Sequence, residues 1–119
     1  TVDSATRFDD TAPNSTEIAC GNNAVITGDG STSTAINVTT PVTEVNATSA
    51  AAPCTLADGS DGQIKTIINV STSGTNAVTI TPSNLRGYTD ITLNAPGETV
   101  TCIFKNSNWN IIGGNGYAV

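Results

Sequence analysis

Histidine and methionine are absent from this 119-residue sequence, and charged and aromatic side chains are scarce. Without histidine, the Ser-His-Asp and Cys-His nucleophile arrangements and the common transition-metal sites are excluded. Charged residues supply 12% of the chain, about half the usual share, which leaves little material for a paired acid–base centre. The acids are dispersed: Asp3, Asp9 and Asp10 near the start, Asp29 and Asp58 beside turn glycines. Five aromatic residues are too few to line a glycosidase cleft around two carboxylates. Arg7, Lys65, Arg86 and Lys105 are the only cations, and the net charge is −6. A nucleic-acid surface needs clustered Lys and Arg to displace phosphate counterions, and anionic lipid attracts polybasic segments. Neither direct nucleic-acid binding nor membrane association is therefore expected. No apolar run approaches the ~20 residues of a membrane span. With no initiator Met and no signal-peptide pattern, the sequence reads as a processed or trimmed form. The sequence thus points away from an enzyme.

Cysteine is present but odd in number, as Cys20, Cys54 and Cys102. Cys102 falls in the alternating run Val100, Cys102, Phe104 and reads as a buried thiol behaving as a small apolar residue. Cys20 and Cys54 both sit beside turn-like sequence and are the candidates for a disulfide. Their spacing fits no zinc pattern.

What the chain does have is Val, Ile, Ala and Thr in short alternating runs, separated by Asn, Ser and Gly. β-branched residues suit pleated strands, and Asn, Ser and Gly suit turns. Strand-like segments are expected at Ala24–Thr27, Ala35–Val38, Gln63–Ser71, Ala77–Thr81, Thr89–Asn94, Thr99–Lys105, Trp109–Ile112 and Gly116–Val119. Pro41 demotes the run toward Val45 to an edge strand or bulge. Asn46–Pro53, without charge or large apolar groups, reads as a linker. Helix amounts to a single turn at most, near Ser83–Arg86. The expected fold is all-β, an antiparallel sandwich or jelly-roll-like domain with an extended N-terminal arm. Residues 1–53 would form the arm and short strands, and residues 54–119 the β-sandwich core. Lys65 and Lys105 read as solvated charges on strand faces. A domain with so little charge has few means of protecting its sheet edges, so homo-oligomerisation or docking on a larger lattice is expected.

One cluster suggests ligand chemistry. Asp58-Gly59-Ser60-Asp61-Gly62 offers two carboxylates on a tight turn, as calcium would require, but lacks the third acid and the distal Glu of an EF-hand loop. The plainer reading is a turn entering the Gln63 strand. No cofactor is expected, and calcium at Asp58 and Asp61 is the one ligand left open. Sequons occur at Asn14, Asn37, Asn46 and Asn69, the last inside a strand ladder and a poor place for a glycan. Trp109 reads as core or subunit interface, and with Tyr117 and Phe8 makes up the interface candidates.

Several segments carry a family likeness. They are Leu56-Ala57-Asp58-Gly59-Ser60-Asp61-Gly62-Gln63-Ile64-Lys65, Val78-Thr79-Ile80-Thr81-Pro82, Ile91-Thr92-Leu93, Gly97-Glu98-Thr99-Val100, and the ending Trp109-Asn110-Ile111-Ile112-Gly113-Gly114-Asn115-Gly116-Tyr117-Ala118-Val119. In this order and spacing, over a little more than half the chain, they resemble a C-terminal β domain of virion structural proteins of marine phages and other aquatic viruses. Cys54, Cys102 and the N-terminal part depart from that pattern. The resemblance implies a capsid decoration or fibre component on the virion surface. It would be commonly trimeric, docked on a major capsid or other lattice protein, with no catalytic role. Two other readings fit the composition. One is a subunit of an extracellular filament or surface layer assembled by strand complementation. The other is a carbohydrate-binding or adhesin module, with calcium at Asp58 and Asp61 or a glycan over Trp109.

Overall fold

A computed structural model describes residues 25–28, 33–48, 51–72 and 76–119. The expected arm over Thr1 to Pro13, with Phe8, as well as Cys20 and the sequon at Asn14, lie outside the described residues. The elements are β1 (Val25–Gly28), β2 (Thr34–Ile36), β3 (Val42–Ala47), β4 (Ala52–Leu56), β5 (Ile64–Asn69), β6 (Val78–Pro82), β7 (Ile91–Leu93), β8 (Thr99–Lys105) and β9 (Asn108–Asn115). They form two sheets: sheet A in the order β1-β3-β5-β8-β9 and sheet B in the order β2-β4-β6-β7. The all-β expectation holds.

The pairing differs from a wholly antiparallel sandwich or jelly roll. From β1 to β6 the chain alternates between the sheets, so odd strands stack parallel in sheet A and even strands stack parallel in sheet B. Parallel neighbours need a long crossover, and here each crossover contains a strand of the opposite sheet. Antiparallel pairing begins where β7 folds back on β6, β8 on β5 and β9 on β8. Period-two alternation reports which face of a strand is buried and says nothing about a neighbour's direction.

The division at residue 53 also gives way. It falls inside β4, and the stretch read as a linker supplies both ends of a crossover: Ala47 closes β3 and Ala52 opens β4, each fully buried. These are core positions where two sheets approach closely, so the side chains there are small. Likewise β3 is interior, between β1 and β5, rather than an edge. Pro41 precedes it, and the Pro41 carbonyl accepts from Thr66 N–H at 2.7 Å. Pro53 does lie within interior β4, but β2 pairs only from Cys54 onward, so the missing N–H leaves no ladder bond broken.

The core fills the space between the sheets. Val45, Ala47, Ala52, Cys54, Leu56, Ile67, Val78 and Ile80 come from the parallel strands, and Ile91, Leu93, Val100, Cys102, Phe104 and Trp109 from the C-terminal strands. The β8–β9 hairpin turns on Asn106 (φ 51°) and Ser107 (φ 60°), with Lys105 paired to Asn108; a two-residue loop with both φ values positive matches the twist of the flanking strands. β9 continues past the expected end at Ile112 through Gly113 and Gly114, by way of a bulge opposite Thr101 and Cys102. Gly114 is at φ 152°, where a Cβ would lie 2.3 Å from the Thr99 carbonyl oxygen. The C-terminus then crosses to sheet B. Ala118 exchanges both backbone hydrogen bonds with Thr92 at 2.8 and 2.9 Å, and Tyr117 packs against the core.

Candidate functional site

Lys65 is 1% exposed, which corrects its reading as a solvated charge. Strand β5 turns Lys65, Ile67 and Asn69 inward and leaves Ile64, Thr66 and Ile68 on the outer face. The Lys65 Nζ donates to the carbonyls of Asn37 (2.7 Å) and Thr40 (2.5 Å) and to the hydroxyls of Thr40 (3.0 Å) and Thr43 (2.6 Å). A buried ammonium is tolerated only when its donors are satisfied. Here the β2–β3 connection wraps around it and supplies neutral oxygens. Burial pulls its pKa down from 10.5 to about 8. Its role is to fasten that loop to β5.

Asn69 is the second buried polar group, fully enclosed. Its Nδ2 donates to the Asn76 carbonyl at 2.9 Å and the Leu93 carbonyl at 3.0 Å, and its Oδ1 accepts from Ser71 N–H at 2.9 Å and Ser71 Oγ at 2.6 Å. Asn76 Nδ2 reaches the Ala47 carbonyl at 2.9 Å, and Ala47 N–H donates to Ser71 Oγ at 3.1 Å. This network ties together the ends of β3, β5 and β7, so the Asn69 sequon is structural and its amide is closed to glycosylation in the folded chain. Asn37 is exposed, its Oδ1 accepting from Thr39 N–H (2.8 Å) and Oγ1 (2.7 Å).

The Asp58–Gln63 turn between β4 and β5 lines an open groove of about 540 Å³ with Val38 and Thr39. Trp109 lies directly under this turn. Its indole N–H donates to the Ala57 carbonyl at 2.9 Å. A Cβ on Gly59 would come within 3.0 Å of the indole ring and 2.6 Å of Gln63 Oε1, so only glycine lets the backbone lie this close. Trp109 is 0% exposed and meets Phe104 edge to face at 5.2 Å. It is a core residue, which removes it from the interface candidates and as a surface for a glycan. Tyr117 is half-buried against the core.

The two carboxylates do not converge on one point through their partners. Asp58 accepts from Asn84 Nδ2 at both oxygens (3.1 and 2.9 Å). Asp61 pairs with Lys105 Nζ at 3.0 Å and accepts from Asn106 N–H at 3.2 Å. The hydrogen bond from Lys105 holds the Asp61 carboxyl below the usual range. Among the described residues no group of three or more His, Cys, Asp or Glu side chains gathers as metal ligands would. A neighbouring groove of about 390 Å³ lies on the far side of Asn84, lined by Thr81, Ser83, Leu85, Tyr88, Thr89 and Asn108 among others. Sequence reasoning missed it, because its residues come from the segment after β6 and the start of β9. Tyr88 flanked by Gly87 and Thr89 was the one local signal.

Cys54 and Cys102 are free, buried thiols. Cys54 thus stands as core, with Sγ 3.8 Å from the Ala52 carbonyl, rather than as half of the bridge considered with Cys20. Burial raises both thiols to about 11. Comparison with protein-family models and with curated protein sequences gives no match to this chain, so the functional reading rests on the chemistry of these surfaces and on the sequence resemblance.

Proposed function

We propose that this chain is a non-catalytic virion structural module, a capsid decoration or fibre component that docks on a particle lattice as a homo-oligomer, with a trimer expected from the sequence resemblance. The observation that carries the reading is the outer face of sheet A. Parallel sheets normally have both faces covered, yet the outward rows of β3, β5 and β8 have no layer over them among the described residues. Ile64 stands directly opposite Ile103, Ile68 opposite Thr99, and Thr66 between Val42 and Thr101. Ile64 and Ile112 are about half exposed, at 49% and 56%. Apart from Glu44 and Lys105, the outward rows are threonine, asparagine and aliphatic, a surface suited to burial against a neighbour. The buried polar groups support a structural role as well, since Lys65 and Asn69 are spent on holding loops.

Two measurements test this reading. Sedimentation of the full chain at micromolar concentration is expected to show a homo-oligomer, reduced to monomer by Ile64→Lys with Ile103→Glu at an unchanged melting temperature. Immunogold labelling of particles from the source, with an antibody to the chain, is expected to decorate heads or fibres. A monomer at high concentration together with unlabelled particles would overturn the proposal.

A further inference from the structure

We propose that the groove at Tyr88 is a binding site for a short neutral oligosaccharide. Tyr88 is the most exposed aromatic ring of the described residues, at 54%, and its hydroxyl has no partner among them. Its groove, at about 390 Å³, is within the range that holds small ligands. The walls carry what a sugar ring needs. One aromatic face can take the C–H face of a pyranose, and amides and hydroxyls beside it can bond the ring's hydroxyls. Asn108 donates through Nδ2 to the Asn106 carbonyl at 2.9 Å, which leaves its Oδ1 open. Asn84 is oriented by Asp58 through Nδ2, so its Oδ1 is likewise open. The Ser83 and Thr89 hydroxyls have no partner among the described residues.

The groove is also preorganised, which lowers the cost of binding. Ser83 N–H donates to the Leu56 carbonyl at 2.9 Å, Trp109 N–H to the Asn84 carbonyl at 2.9 Å, and Arg86 N–H to the Trp109 carbonyl at 3.0 Å. The Arg86 side chain is drawn aside to Asn110 Oδ1 at 2.8 Å. The loop is therefore bonded to both sheets while Tyr88 stands free of it. A neutral ligand follows from the charge balance, because no charged side chain lines the groove among the described residues and the chain carries −6 overall. The site is independent of particle assembly, and its test reads sugar binding rather than oligomeric state.

The test uses the full chain on immobilised short oligosaccharides of glucose, galactose and N-acetylglucosamine, beside sulfated and sialylated forms, with hits titrated in solution. A neutral sugar is expected to bind. Tyr88→Ala is expected to weaken it by roughly tenfold or more, and Tyr88→Phe to stay within about threefold of the parent. Asn108→Ala is expected to weaken it several-fold. Melting temperatures of the variants report that the fold persists, as an exposed ring permits. Absence of any neutral hit, preference for the sulfated forms, or a Tyr88→Ala protein that binds like the parent would each overturn the proposal.

Discussion

The parallel half of the molecule, β1 to β6, and the antiparallel half, β7 to β9, solve the same packing problem with different materials. In the parallel half the interior adds the polar groups Thr43, Lys65, Asn69 and Ser71 to an apolar set that includes Val45, Leu56, Ile67, Val78 and Ile80, and side chains bonding to backbone fix the crossovers. In the antiparallel half the buried side chains are Ile91, Leu93, Val100, Cys102, Phe104 and Trp109, all apolar, and β8 and β9 are joined by a two-residue hairpin. The difference teaches that where the chain crosses between sheets its turns are held by buried polar side chains. A long crossover carries unpaired backbone groups inward and must satisfy them there, whereas a two-residue hairpin carries none.

This contrast can be broken by substitution. The largest effect is expected in the antiparallel half. Trp109→Ala removes a fully enclosed ring and the support of the Asp58–Gln63 turn, and should cost about 3–5 kcal/mol in urea unfolding. Next comes Asn69→Leu. Similar volume is kept, but the Leu93 carbonyl loses a donor and the buried Ser71 N–H its acceptor, while the Asn76 carbonyl keeps Ser71 Oγ at 3.2 Å, for a total cost of about 1–3 kcal/mol. If Asn69→Leu proved neutral, the polar interior of the parallel half would be incidental.

Lys65 gives the parallel half a pH signature. Its folded value of about 8 lies below the 10.5 of a free lysine, so between those values the unfolded chain binds more protons. Stability should therefore rise as pH climbs through that window and level off above it. The difference in unfolding free energy between the parent and Lys65→Met, followed from pH 7 to 10, should show this slope, and a flat difference would contradict the burial of a charged amine. The thiols test both halves at once, with Cys54 in one and Cys102 in the other. Raised to about 11 by burial, neither should react with a thiol reagent at pH 8 in a Cys20→Ser background until denaturant is added.

The smallest effect is expected at the hairpin. Ser107 is held at φ 60°, and Ser107→Gly should stabilise the protein by about 0.5–1 kcal/mol, read as a raised melting temperature.

Several features were legible along the chain. The alternation of Val100, Cys102 and Phe104 gave the buried face of β8, and Asn106-Ser107-Asn108 gave the turn after it. β4 was not legible, because Ala52, Pro53 and Cys54 carry no hydrophobic contrast, and the burial of Ala52 and Cys54 comes from their place between the two sheets. For β5 the pattern was misleading in chemical terms. Its more apolar face, with Ile64 and Ile68, points outward, and the face bearing Lys65 and Asn69 points in, since those groups are needed where the crossovers turn. Of the candidate residues, Asp58 and Asp61 do line a groove, while Trp109 lies beneath it and Tyr88 beside it.

Composition and alternation by themselves determined that this chain makes strands with apolar inner faces and turns at Asn, Ser and Gly, because those outcomes depend on local backbone preference and on the two-residue period of the pleat. Only the tertiary structure decided which strands lie parallel, why a lysine is enclosed, and which aromatic ring reaches solvent. Those depend on how crossovers of unequal length bring distant backbone carbonyls together, and no local pattern encodes where a carbonyl from residue 37 or 40 will meet the amine of Lys65.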